Sequence, residues 1–139
     1  MGELLDITLS GGFTRIVVAN SDSSTRGHVV DRLSEQPDFD VVGVAGTVAE
    51  TIDVARLSLA DIVVAEMTLS DGSGQEACRR LRSENNQRCG FVVLSGLPVD
   101  TSSDTAADVD AFVLKELAGD TLESEIRRVA ANLRTTSPH

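Results

Sequence analysis

The chain has 139 residues, of which 41% are hydrophobic and 24% charged, with a formal net charge of −10. That composition suits one folded domain and argues against a disordered tail. An acidic surface repels polyanions, no apolar run reaches the roughly 18 residues of a membrane span, and the first ten residues lack a basic signal-peptide region, so nucleic-acid binding by this segment, membrane attachment and secretion are all disfavoured and a cytoplasmic location follows as the default.

Residues 1–14 read as a leader in which Leu4, Leu5, Ile7 and Leu9 could pack on another surface, such as a partner chain, ahead of a Ser10-Gly11-Gly12 break. Arg15 to Ala19 is a short continuous apolar run, the mark of a strand buried on both faces. Asn20 to Ser24 is rich in helix-capping residues, and Val29, Val30 and Leu33 then recur at helical spacing until Pro37. Asp40 to Ala45 predicts a second strand. Thr47 and Glu50 form a capping box, each side chain serving the other's backbone N–H, before a helix with Val48, Ile52, Ala55 and Leu59 at one-turn spacing. Asp61 to Ala65 is a third buried strand, and Ser73 with Glu76 opens another capped helix running through Leu81. Phe91 to Leu94 and Ala111 to Leu114 give the fourth and fifth strands. A last helix runs from Asp120, its cap, to Leu133, with Leu122, Ile126, Val129 and Leu133 on one face. The regular part therefore covers 15–133, and 134–139 is a tail or the start of a linker. Strands that alternate with helices in this way imply a doubly wound parallel α/β sheet.

Cys78 and Cys89 have neither CxxC spacing nor clustered histidines, and read as two reduced thiols, one on a helix and one in a loop. His28 reads as an ordinary mid-helix histidine, and Arg79, Arg80 and Arg82 as a solvated helix end that complements the macrodipole. Asp71-Gly72-Ser73-Gly74 is no nucleophile elbow, because capping accounts for Ser73, and no glycine fingerprint follows a strand to cradle phosphate.

In an open parallel sheet, ligands gather beyond the carboxyl ends of the strands. The residues there are Asn20, Ser21 and Asp22 after strand one, Glu66, Met67 and Thr68 after strand three, Ser95 and Gly96 after strand four, and Lys115 after strand five. This set, together with the stretches RIVVANSDSSTRGHVVDRL, DIVVAEMTLSDGSGQEACRRLR and AFVLKE in order, resembles the receiver domain of bacterial response regulators, in the nitrate-regulator subfamily. The resemblance runs from Arg15 to Leu133. It implies a flavodoxin-like five-stranded sheet of order 2-1-3-4-5 and flanking helices. It also implies Ser95 as the hydroxyl that follows a phosphoryl group, Lys115 as the ammonium paired with the acceptor carboxylate, and Phe112 as the aromatic switch of the fifth strand, although a buried strand explains Phe112 equally well.

The departures from the family pattern carry more weight. Receivers phosphorylate an aspartate after strand three and hold Mg²⁺ with two acidic residues after strand one, because a hard cation needs oxygen ligands and the carboxylate is the nucleophile. Here Asn20 and Ser21 stand at the acidic pair, Asp22 lies one residue further on, and Glu66 stands at the acceptor. Glu66 could imitate the phosphorylated state, form an ion pair with Lys115 that holds the pocket shut, or accept phosphate slowly. The stretch from Asp100 to Asp110 has no amphipathic face, which predicts a short or irregular fourth helix.

The expectation is an atypical receiver, not an enzyme, that controls signalling or transcription through protein–protein contact without ordinary aspartyl phosphorylation. No cofactor is expected, with at most a weak Mg²⁺ site drawing on Glu66, a carbonyl near Thr68 and Asp22. Expected partners are a second copy of the chain, a histidine kinase or a small ligand. DNA would be reached only through a helix-turn-helix domain, which this sequence lacks and which a linker after the last helix would introduce. Two alternatives stay open: a conventional Mg²⁺-dependent phosphorelay receiver, and a small flavodoxin-like cofactor binder, the latter disfavoured by the missing phosphate loop and the scarcity of aromatics.

Overall fold

The computed structural model describes residues 13–84, 89–96, 109–115 and 118–135. In chain order the elements are β1 (Thr14–Ala19), α1 (Ser23–Ser34), β2 (Phe39–Ala45), α2 (Val48–Ser58), β3 (Ile62–Glu66), a short hairpin of β4 (Thr68–Leu69) and β5 (Gly72–Ser73), α3 (Gly74–Arg82), β6 (Gly90–Ser95), β7 (Ala111–Leu114) and α4 (Ala118–Thr135). The five long strands make one parallel sheet of order β2-β1-β3-β6-β7, which is the order expected from the sequence. Most of the expected fourth helix, within 100–110, falls outside the described residues, which hold four helices.

The apolar runs become strands because both faces of the sheet are covered. Along β1, Ile16 and Val18 point to a layer shared with Leu33, Leu122 and Ile126 beneath α1 and α4. Val17 and Ala19 point to the other layer, with Ile52, Ala55 and Leu81 beneath α2 and α3. This period-two split turns a continuous apolar run into two cores, and each large side chain buried there contributes about 1.5–3 kcal/mol. Strand β2 shifts register against β1 between Ile16 and Val17, so Val42 has no partner in the register and the edge strand is locally bulged.

The helix ends correct several details. Asp22 caps α1, its carboxylate accepting from the Thr25 backbone N–H at 2.9 Å and from the Thr25 hydroxyl at 2.5 Å. Thr47 and Ser73 cap α2 and α3 through Glu50 N–H and Glu76 N–H, each at 3.0 Å. The reciprocal half expected for Thr47 and Glu50 does not form as expected, because the Glu50 carboxylate accepts from Gly46 N–H at 2.8 Å. The outer cap of α2 is distant in sequence: Asp71 accepts from Val48 N–H at 2.6 Å and Ala49 N–H at 3.3 Å, and these bonds hold its carboxyl below the usual range. Helix α4 opens at Ala118, so Asp120 lies within its first turn rather than at its cap. Arg79 and Arg80 are exposed as expected, but Arg82 is not a merely solvated cation. It donates to Cys89 O at 3.2 Å and to the Asp110 carboxylate at 2.5 Å, which also accepts from Phe91 N–H at 2.8 Å.

Cys78 and Cys89 are both free and buried, and His28 is exposed. Burial pushes the Cys89 thiol up to about 12, so it is held protonated.

Candidate functional site

Strands β1 and β3 are neighbours and β7 lies beyond β6, and at the carboxyl edge of the sheet these three strands deliver Asn20, Glu66 and Lys115 to one point. The Glu66 carboxylate is occupied at both oxygens. Oε1 accepts from Asn20 Nδ2 at 2.8 Å, and Oε2 pairs with Lys115 Nζ at 2.8 Å. Asn20 is buried, and its other amide atom is also used, Oδ1 accepting from Asp22 N–H at 2.9 Å. Its carbonyl accepts from Arg26 Nη1 at 2.8 Å, a contact that gives Arg26 a place at the site not foreseen from the sequence. The three side chains together form a chain of donors and acceptors with one negative and one positive charge, and each carboxylate oxygen has one protein partner.

Ser21 has a different task. Its hydroxyl donates to Gly46 O at 2.8 Å and accepts from Ser70 N–H at 2.8 Å. It thereby ties the segments after β1, β2 and β3 to one another, and Asp71 adds a second tie from the β4–β5 hairpin to the start of α2. The hairpin was not foreseen because two-residue strands carry no periodicity. Its register pairs Thr68 with Ser73 and Leu69 with Gly72, which leaves Thr68 exposed. Gly74 then opens α3 directly against the backbone of β3: a Cβ there would meet Glu66 O at 2.6 Å, and its N–H donates to Met67 O at 3.0 Å.

Ser95 is buried at the end of β6, paired in register with Leu114 and adjacent to Leu94, the register partner of Glu66. Phe112 is half-buried on β7, on the face opposite the buried Ala111 and Val113. The structure thus brings Asn20, Glu66 and Lys115 into direct contact. It sends Asp22 to its helix, uses Ser21 as a loop tie, and leaves Thr68 on the hairpin surface.

The residues present do not fit a hard divalent cation. Asp22 is engaged by Thr25, which holds its carboxyl below the usual range. The Ser21 hydroxyl is neutral and used twice, the Asn20 oxygen accepts a backbone N–H, and each Glu66 oxygen already accepts from a protein donor, so Glu66 is the one acid at this point with lone pairs left for a cation. Among the described residues no three His, Cys, Asp or Glu side chains gather as a metal-binding group. Attack by Glu66 on a phosphoryl group would disturb its contacts with Asn20 and Lys115.

No protein-family model matches the chain. It is 31% identical over 120 residues to the DNA-binding transcriptional activator DevR/DosR of Mycobacterium tuberculosis, covering 84% of this chain and 54% of that protein. It is 28% identical over 93 residues to a nitrate/nitrite response regulator protein homolog of Haemophilus influenzae, covering 66% of this chain and 45% of that protein. The chain thus spans about half the length of the curated relatives it matches. Its fold matches a LuxR-family two-component response regulator of Aurantimonas sp. SI85-9A1 with a TM-score of 0.79, at 21% identity over 86% of each chain. It also matches the response regulator domain of CheB from Thermotoga maritima, with a TM-score of 0.76 at 18% identity over 86% of this chain and 97% of that one. No described helix is long and apolar enough to cross a membrane.

Proposed function

The chain is a response-regulator receiver domain of the nitrate-regulator type, and on that footing we propose that it signals through protein–protein contact without ordinary aspartyl phosphorylation. The observation that carries the proposal is the state of Glu66, the residue at the acceptor position: both its oxygens are engaged, one by an amide and one by an ammonium. A glutamate is one methylene longer than the aspartate it replaces, and a misplacement of about 1 Å costs on the order of a hundredfold in rate. Here the carboxylate is also held on Asn20 where a metal-binding acid is expected, so the site lacks the charge that would neutralise an incoming phosphoryl group.

In this proposal the site is a fixed structural joint rather than a reaction centre, and the domain is not an enzyme. The signal is carried by association, with a second copy of the chain as the expected partner. Transcription would be the output through a DNA-binding domain, since one relative is named as a DNA-binding transcriptional activator and the chain matches about half of it.

The test is the intact mass of the chain after incubation with a small phosphodonor and Mg²⁺. A variant carrying Asn20→Asp, Ser21→Asp and Glu66→Asp together is run alongside. The wild type is expected to gain no phosphoryl mass, while the triple variant gains it in a Mg²⁺-dependent way. A stable, stoichiometric gain on the wild type would make this a conventional phosphorelay receiver and overturn the proposal.

A further inference from the structure

Of the 12 lysines and arginines in the chain, Lys115 is the only lysine. The rest are guanidiniums, which stay protonated at any physiological pH and are poor nucleophiles. A positive charge at the end of β7 asks for no particular chemistry, but an amine brings one, because it forms amides once it has lost a proton. The two thiols of the chain are out of reach of a solvent-borne reagent, since Cys78 and Cys89 are both buried.

The ion pair with Glu66 is lopsided in access. The Lys115 side chain keeps 42% of its exposure and the Glu66 side chain 14%. A reagent arriving from solvent therefore meets the amine before the carboxylate. The same asymmetry fixes the consequence of a reaction there. Neutralising Lys115 leaves Glu66 charged and largely out of water, with the neutral Asn20 amide donating to its other oxygen at 2.8 Å. The exposed partner takes the change, and the covered partner feels it.

We propose that Lys115 is an Nε-acylation site with an acyl phosphate as the donor, and that loss of its charge is the covalent event to which this pocket responds. The proposal rests on the reading of Glu66 given above, as a carboxylate that does not take up phosphate. The reaction needs nothing beyond the donor. The ammonium gives one proton to water, and the amine lone pair forms the N–C bond to the acyl carbonyl carbon. The C–O bond to phosphate breaks with its electron pair leaving on phosphate, which takes the second proton from nitrogen. The product is a neutral amide, whose single N–H does not replace an ammonium beside Glu66. An acyl phosphate has two electrophilic centres: a carboxylate that takes up phosphate attacks phosphorus, whereas the exposed amine attacks carbon.

The test incubates the full chain with acetyl phosphate and reads intact mass, peptide map and urea midpoint. Peptide mapping is expected to place an acetyl group on Lys115, and Lys115→Arg, which keeps the positive charge and the fold, lacks it. Acetylation of the wild type lowers the urea midpoint by about 1 M, while acetylation in a Glu66→Gln background, where no carboxylate is stranded, leaves the midpoint nearly unchanged. If Lys115 stays unmodified in the folded chain but is acetylated after unfolding in urea, the amine is not accessible and the proposal is overturned. Equal midpoint shifts in the two backgrounds show that Glu66 does not sense the change, and overturn it as well. A phosphoryl mass on Glu66, distinct from an acetyl mass, overturns instead the reading on which the proposal rests.

Discussion

Lys115 and Glu66 meet at 2.8 Å, but they are not buried alike: the lysine side chain keeps 42% of its exposure and the glutamate 14%. This asymmetry sets what each loses when the other is removed. Lys115→Met strands a carboxylate that is mostly out of water and leaves it one side-chain donor from the pair, Asn20 Nδ2. Glu66→Gln leaves an ammonium that water already reaches and keeps an acceptor for Asn20. An uncompensated buried charge costs about 3–5 kcal/mol and an exposed pair about 0–1 kcal/mol. With these exposures, Lys115→Met is expected to cost about 1.5–3 kcal/mol and Glu66→Gln about 0.5–1 kcal/mol. The Glu66→Gln/Lys115→Met variant should be more stable than Lys115→Met alone, since neutralising the stranded carboxylate removes the penalty. Urea unfolding of the four proteins at pH 7 and low salt measures the cycle directly. If Lys115→Met costs no more than Glu66→Gln, or if the two costs simply add, the pair is not the joint described here.

Two further expectations follow from the same packing. Gly27 lies within α1 with nothing within 4 Å of a built Cβ, so Gly27→Ala should stabilise by about 0.5–1 kcal/mol, while Gly74→Ala drives a Cβ to 2.6 Å from Glu66 O and should destabilise by about 1–3 kcal/mol; urea midpoints that moved in the same direction would contradict this. The Arg127 guanidinium, bonded to Asp38 at 2.9 Å through both Nε and Nη2, holds that carboxyl below its ordinary value, so its contribution is present above about pH 3.9 and is lost as pH falls through the lowered folded-state value. Asp38→Asn should therefore flatten the acid limb of the stability–pH curve and leave the pH dependence above about 5 unchanged.

The strands were legible in the sequence because burial on both faces leaves an apolar run with no polar interruption. Arg15–Ala19, Asp61–Ala65 and Phe91–Leu94 lie within one residue of β1, β3 and β6, and Ala111–Leu114 coincides with β7. Capping hydroxyls at Thr47 and Ser73 were legible for a similar reason, since donor and acceptor lie three residues apart. Contacts between distant segments were not. Asp71 reaches α2 from 23 residues away, Ser21 reaches Ser70 across 49, and Arg82 reaches Asp110 across 28. The positions of Asn20, Glu66 and Lys115 followed from strand order, but the division of the carboxylate between its two hydrogen-bonding partners is visible only in the folded structure. Asp22 illustrates the converse: an acid at the end of a strand reads as a ligand candidate until the next helix claims it as a cap.

The site also has a history within each folding event. Asn20 and Glu66 belong to β1–α1–β2–α2–β3, a unit that already contains β1 paired on both sides. Lys115 stands immediately beyond β7 and reaches Glu66 past β6, which pairs with both β3 and β7. If the sheet grows outward from β1, the ammonium is among the last groups to reach its partner and among the first to leave when the far edge of the sheet loosens. A contact made that late would be weak in the folding transition state, so Lys115→Met is expected to speed unfolding and barely slow folding, which the two arms of a urea chevron measure. In that case the ion pair between Glu66 and Lys115 is a latch on the far edge of the sheet, and the unfolding rate reads how firmly it is closed.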